Sequence, residues 1–401
     1  MERKSKRRAL IFFLVISGLS CVGLGPMIFG AEPVAVTTGN SRSDLSLKNE
    51  VKHAIERGLL WLKGAQHPMG YWSQPDHPAL TGLVLTGFVR EPSGSTRAAS
   101  PDFVKKGYSY LVQCVQPDGG IYVKDLANYN TAVSLMALIA SFDPAYEPLI
   151  RNARNFLVGL QSDFGEKGKV DSPYDGGVGY GSRHQHSDMS NTMFALEALY
   201  YSQFVADDKE DGIAPFQELN WPGVIKFIQR CQNLPSHNDQ AWASDDPENR
   251  GGFVYFPGNS KAGEVKLPSG KTALRSYGSI SYAGLLSYIY ADLDRDDPRV
   301  KAVFDWLRRN FTLEENPGMG PQGLYYYYHV MAKGLAAGGV HTLALVDGKE
   351  VDWRRELALK LLNLQKGEGF WVNENGRWWE KDPVLVTAYA ILSLEIMHSG
   401  L

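Results

Sequence analysis

The sequence predicts an all-α protein: a single (α/α)6-like toroid of about six helix hairpins, arranged as two concentric helix layers. Three observations predict it. A two-part helical pattern recurs along the chain. Its first helix is charged on one side and its second is apolar nearly all round. The last copy shows no polar cap of the kind an open stack of repeats requires.

The recurring unit is a polar-faced helix that ends in an apolar pair and then Gln, followed by a Gly-rich turn with an aromatic residue. The copies are Gln66 with Gly70-Tyr71-Trp72, Gln116 with Gly119-Gly120-Ile121-Tyr122, Gln161 with Gly176-Gly177-Val178, and Gln232 with Gly251-Gly252-Phe253. A fifth, degenerate copy runs from Phe311 to Gly323-Leu324-Tyr325, and the sixth pairs Gln365 with Gly369-Phe370-Trp371. The apolar helices that follow are expected at 80–89, 131–141, 191–204, 279–290, 328–337 and 386–397. Charges such as Arg299, Lys301, Asp305, Arg308 and Arg309 place one face of a first helix in water, whereas Thr131-Ala132-Val133-Ser134-Leu135-Met136 must be buried on both sides. Val384, Leu385, Val386, Ile391 and Leu394 in the sixth apolar helix then need the first repeat as cover.

Length and composition set the remaining bounds. The chain has 401 residues and a net charge of −3, and 44% of it is hydrophobic and 11% aromatic, enough for a large core. Nearly balanced charge excludes nucleic acid as a partner. Residues 1–31 read as a signal peptide or N-terminal anchor: Arg3, Lys4, Lys6, Arg7 and Arg8 precede an apolar run to Leu24, and Gly30-Ala31 offers a cleavage step. Export to the periplasm or cell envelope is therefore expected, with peripheral membrane contact through the N-terminus. Residues 32–46 read as a linker and 47–401 as the helical domain. Cys21, Cys114 and Cys231 form no disulfide framework or cysteine zinc site.

The Gln and Gly-aromatic turns resemble the repeats of squalene-hopene cyclases and of protein prenyltransferase β subunits, over nearly the whole chain after residue 47. Asp188-Met189-Ser190-Asn191-Thr192 and Tyr325-Tyr326-Tyr327-Tyr328-His329 resemble segments of the prenyltransferase/squalene oxidase repeat family. In such repeats the Gln is expected to cap the carbonyls of its own helix and so tie neighbouring hairpins together. The resemblance implies a terpenoid-cyclase-like toroid whose central apolar, aromatic-lined cavity holds an isoprenoid or other apolar ligand, to be cyclised or transferred. Two departures matter. The chain is long enough for one barrel, not two, and the proton-donor position of the cyclase acid motif holds Ser190, a poor acid.

On this reading Asp188, Asn191 and His186 are the candidate catalytic residues, and Asn130, Tyr277, Tyr325, Tyr328 and His329 the candidate ligand-binding residues. Asn128, Asn130, Thr131, Ser276, Tyr277 and Ser279 would make a polar rim where the inner helices start. No cofactor is expected; His184, His186 and Asp188 are the ligand set for a metal if one binds, and otherwise form a polar loop. Asp294-Arg295-Asp296-Asp297 precedes Pro298 and reads as a helix cap. Asp207-Asp208-Lys209-Glu210-Asp211 reads as a solvated loop. Two alternatives stand beside the isoprenoid enzyme. One is a non-catalytic scaffold that keeps the cavity and lacks the acid. The other is a polysaccharide-active enzyme using Asp171, Asp175 and Asp188.

Overall fold

In the computed structural model, which describes residues 41–181, 186–206 and 218–401, six amphipathic helices alternate with six apolar ones. The outer set is α1 (Ser41–Gly64), α4 (Asp102–Gln113), α6 (Glu147–Gly159), α8 (Trp221–Arg230), α10 (Pro298–Arg309) and α12 (Trp353–Leu364). The inner set is α2 (Pro78–Arg90), α5 (Ala127–Ser141), α7 (Met189–Tyr201), α9 (Gly278–Tyr290), α11 (Leu324–Ala337) and α13 (Pro383–Gly400). A short α3 (Ser95–Ala99) and two small antiparallel hairpins, Glu264–Lys266 with Thr272–Leu274 and Leu343–Ala344 with Glu350–Val351, decorate the loops.

Sequence pattern accounts for each layer. In α4 the buried residues Val104, Gly107, Tyr108 and Leu111 fall at i, i+3, i+4 and i+7, the single stripe of a surface helix. In α13 nearly every residue from Val384 to Leu394 is buried, so both flanks must be covered. By length and composition α13 is apolar enough to cross a bilayer, but its surface is packed inside the protein. Contacts between inner helices run α2 to α5 to α7 to α9 to α11 to α13 and back to α2, and α1 packs on both α12 and α13. The sixth repeat is thus covered by the first.

The turns show how one hairpin is fixed to the next. Gly70, Gly119, Gly176, Gly251 and Gly369 all have φ between +85° and +102°. A Cβ at each would lie 2.0–2.8 Å from a carbonyl oxygen of the next outer helix, namely those of Lys106, Asn152, Gly223, Ala302 and Arg57. Glycine is required twice over, by the left-handed backbone and by this approach. The Gln side chain does not, as a rule, cap its own helix. Gln66, Gln161, Gln232 and Gln365 each donate to the glycine carbonyl of their turn and to a carbonyl at the next outer element, those of Phe103, Asn220, Arg299 and Ala54. Only Gln116 reaches back to its own C-cap residue, Cys114, and to Tyr122. The reason is geometric: the helix has ended before the Gln, and its amide lies closer to the neighbouring hairpin. A hydroxyl in the second turn of the inner helix completes the lock. Thr81, Thr131, Thr192, Ser281 and Thr387 accept the backbone N–H of Trp72, Ile121, Val178, Phe253 and Trp371 at 2.9–3.0 Å.

Gln365 ties the last repeat to the first, helped by Arg57, which donates to the carbonyls of Lys366 and Gly367. Gln365→Ala removes two bonds to carbonyls and is expected to cost about 2 kcal/mol, read as a lowered denaturation midpoint with an unchanged helical spectrum.

Two boundaries differ from expectation. Residues 41–46, read as linker, are the first turns of α1; their small polar residues are held in a helix that has Leu47 and Val51 buried just beyond. Inner helix α11 begins at Leu324 and therefore includes the whole Tyr325–Tyr328 run. The expected cap holds: Asp297 is the N-cap of α10 and accepts the N–H of Arg299, while Asp296 is exposed and pairs with Lys301. Asp297→Ala is expected to cost about 1 kcal/mol, and Asp296→Asn to leave the denaturation midpoint unchanged. Cys114 and Cys231 are buried free thiols at the C-caps of α4 and α8, in the outer layer. The leader, His184 and the Asp207–Asp211 stretch lie outside the described residues.

Candidate functional site

The start of α7 carries a cluster of buried polar residues: Ser187, Asp188, Asn191 and Thr192. Asp188 is its N-cap, fully buried. One carboxylate oxygen accepts the Asn191 N–H at 2.9 Å and the other the Asn191 Nδ2 at 2.8 Å. The Tyr255 hydroxyl also donates to it, and the Tyr255 and Tyr180 hydroxyls lie 2.8 Å apart. Burial raises the Asp188 pKa to about 6, with the Asn191 donors, Tyr255 and the Ser190 N–H opposing that rise. Asp188 thus feeds a short chain of hydroxyls ending at the half-buried Tyr180.

Of the residues singled out from sequence, Asp188 and Asn191 are brought together. His186 is not with them; its ring packs against Phe256, 4.4 Å between centroids, and Tyr174. Among the described residues no group of three His, Cys, Asp or Glu side chains is placed to hold a metal. Asn130 is a strut: its Oδ1 accepts the Ala79 N–H at the start of α2 and its Nδ2 donates to the Asp125 carbonyl. The rest of the expected rim is largely committed to similar bonds. Asn128 bridges to the carbonyls of Gly179 and Asn191, and Ser279 N–H is capped by Asn316. Tyr277 is buried at the start of α9, where burial raises its pKa well above the ordinary value, with the Asp188 carboxylate adding to the rise. Asp175 and Asp171 accept backbone N–H groups within their own loop, from Phe164 and Ser172 and from Glu166.

The Tyr325–Tyr328 run is split by helical phase. Tyr327 and Tyr328 donate to the carbonyls of Thr312 and Leu313, and Tyr325 packs edge-on to Tyr328, so these three rings face the loop before α11. Tyr326 is the ring that faces the axis. It belongs to a collar contributed by four inner helices: Tyr129 of α5 meets Phe194 of α7 at 5.0 Å, Phe194 meets Tyr326 of α11 at 6.1 Å, and Tyr326 meets Tyr389 of α13 at 6.0 Å. The Tyr389 and Tyr129 hydroxyls, 3.3 Å apart, close the circuit. His329, one turn along α11, stacks on Tyr389 at 5.2 Å. Burial drives its pKa well down, with the charges of Lys333 and Arg90 adding to the effect, so the imidazole is neutral.

Tyr129, Ser190 and Tyr326 keep accessible surface although they sit on the inner layer with helices on every side. Two concavities on the outer surface, about 350 and 360 Å3, are lined by outer-layer residues such as Lys106 and Arg309. Sequence reading missed Tyr129, Phe194 and Tyr389, and with them the charged inner-layer residues Glu197, Lys333, Arg90 and Glu395. The available signal was charge inside helices that are otherwise apolar all round.

No family model matches the chain, and no curated protein does. The fold does match solved structures. An arginine-to-alanine variant of the type II terpene cyclase MstE from Scytonema, in complex with its substrate geranylgeranyl dihydroxybenzoate, is 12% identical with a TM-score of 0.52, covering 89% of this chain and 100% of that one. An aspartate-to-alanine variant holding the product merosterolic acid A is 13% identical with a TM-score of 0.52, over 89% and 99%. The ligand-free cyclase gives a TM-score of 0.51 at 12% identity. The architecture is that of a terpenoid-cyclase-like α/α toroid.

Proposed function

We propose that this protein binds an elongated apolar molecule of the isoprenoid class along the ring axis. The observation that carries the reading is the collar of Tyr129, Phe194, Tyr326 and Tyr389, aromatic rings from four inner helices in mutual contact, of which Tyr129 and Tyr326 keep some accessible surface. Aromatic faces suit both saturated chains and the π-bonds of an isoprenoid. The structural neighbours that hold a prenylated substrate or its product support the same ligand class. We place the protein outside the cytoplasm, held at or released from the membrane by residues 1–31, as the basic and apolar leader implies.

The binding reading stands ahead of catalysis because Ser190 occupies the proton-donor position and Asp188 is enclosed by donors. A cyclising activity is the second reading, favoured by the Asp188 pKa of about 6 and its link through Tyr255 to Tyr180. In that case Asp188→Asn abolishes product formation while geranylgeraniol still binds. The binding reading is tested by calorimetric titration with geranylgeraniol. Phe194→Ala is expected to weaken binding about tenfold or more, the equivalent of about 1.4 kcal/mol. Equal affinity in the variant, or no binding by the parent protein, overturns it.

A further inference from the structure

The turn that leads into α13 presents two tryptophans to the outside. Trp378 and Trp379 are 43% and 46% exposed, while the other exposed large apolar side chains among the described residues stand singly along the chain. Both have left-handed backbone, with φ of +54° and +66°. A bulky side chain adopts that region only where its surroundings impose it. The base of the turn supplies the constraint. The Asn373 N–H donates to the Glu380 carbonyl at 3.0 Å, and the Asp382 N–H to the Trp379 carbonyl at 2.8 Å. The buried Glu380 carboxylate accepts the Tyr326 N–H at 2.8 Å and the Asn373 Nδ2 at 2.6 Å. The pair is therefore held in place from beneath.

The turn lies over the end of the ring where the inner helices start. Trp379 meets His77, the N-cap of α2, at 4.5 Å between centroids, and Trp378 lies against Gly323, the N-cap of α11. Asp382, just beyond the pair, is the N-cap of α13. The Arg377 guanidinium stands 4.7 Å over the Trp378 ring and donates to the Gln322 side chain at 2.6 Å. Beyond His77, Asp76 pairs with Lys124, next to the exposed Val123. The charges along this arc are Arg377, Lys381 and Lys124 against Asp76, Asp125, Glu374 and Asp382. They leave no cationic excess. What the arc offers a partner is the apolar area of two indoles.

We propose that the Trp378–Trp379 turn docks this end of the ring on a lipid bilayer, with the indoles seated at the level of the headgroups. Indole suits that layer because its apolar body faces the acyl chains while its N–H stays at the wet boundary. Arg377, stacked on Trp378, keeps its stem in the apolar layer and its charge in water. The rest of the chain favours a bilayer as the occupant. Residues 1–31, basic and then apolar, direct the chain to a membrane. Helix α1 ends beside the turn into α2, so it begins at the far end of the ring, and its 24 residues are about 36 Å long. Residues 25–40 reach at most about 55 Å, so the leader and the tryptophan face can meet the same bilayer. The assignment does not depend on which molecule occupies the ring.

The experiment binds the full chain to phosphatidylcholine vesicles made with plain or with brominated acyl chains and compares the tryptophan emission. Bromine quenches indoles in contact with the lipid. Residues 1–40 contain no tryptophan, so the leader contributes nothing to the signal. Brominated vesicles are expected to quench the share of emission carried by Trp378 and Trp379 among the nine tryptophans. The double variant Trp378→Phe with Trp379→Phe keeps apolar rings in the turn. It is expected to bind the vesicles, to keep its helical spectrum and to lose the quenching. Equal emission of the bound parent protein on both lipids, quenching that survives in the double variant, or failure of the full chain to bind overturns the proposal. Emission shifted by a soluble oligosaccharide, with no quenching by brominated lipid, overturns it as well and assigns the pair to a sugar.

Discussion

Replacing Lys333 by methionine is expected to destabilise the protein by about 3–5 kcal/mol, the cost of leaving one member of a buried ion pair uncompensated. Lys333 and Glu197 come from different inner helices, with side chains 14% and 9% exposed. With the ammonium gone, Glu197 keeps only the long bond from Tyr290. It must then stay charged without a partner or take up a proton. The double variant Lys333→Met with Glu197→Gln removes the stranded charge and is expected to recover most of the loss. Denaturant titrations of the single and double variants check both statements. A single variant within about 1 kcal/mol of the parent would show that the pair is not buried as described.

The second large effect is a pH dependence carried by Asp188. Its pKa rises from 3.8 to about 6 on folding, a shift of about two units that corresponds to about 3 kcal/mol. The sign follows from the direction of the shift. A folded-state pKa above the unfolded one means that the folded protein holds the proton more tightly, so the contribution is full below about pH 4. It falls as pH rises through 6. Other groups titrate as well, including Glu380, whose carboxyl burial also raises. The useful quantity is therefore the stability of the parent minus that of Asp188→Asn, which does not ionise. That difference is expected to shift against the parent by about 2 kcal/mol between pH 4 and pH 7. A flat difference would mean that the carboxylate is solvated or fully matched by its donors. It would also remove the support for any proton-transfer role, since a group with an ordinary carboxylate pKa holds no proton near neutrality.

The architecture was legible because it repeats. A one-sided charge pattern in residues such as Arg299, Lys301 and Asp305 marks an outer helix. An unbroken apolar stretch such as Val133 to Ile139 marks an inner one. Recurrence of Gln and Gly turns aligns the hairpins, and the Asp297-Pro298 step reads as a cap from local chemistry alone. The site was less legible for the same physical reason that the inner helices were easy to find. A helix that is apolar all round has no polar face to set its phase, so nothing in Tyr325–Tyr328 tells which ring points inward; the structure selects Tyr326. The pairing of Glu197 with Lys333 joins residues 136 positions apart, beyond the reach of any local periodicity. Asn130 looked like a binding residue because polar side chains at inner helix starts are dense, yet its two amide atoms bind backbone. Asp188 and Asn191, singled out through a motif resemblance, are in direct contact.

The central claim is that the ring axis holds an isoprenoid-class molecule against the aromatic collar. Native mass spectrometry of the protein extracted from its own envelope in mild detergent tests it most directly. The account expects a bound species a few hundred daltons above the polypeptide, identified after organic extraction as an isoprenoid and lost or depleted in the Phe194→Ala protein. A parent protein that flies at its bare polypeptide mass, and stays there after incubation with geranylgeraniol and geranylgeranoic acid, would contradict it.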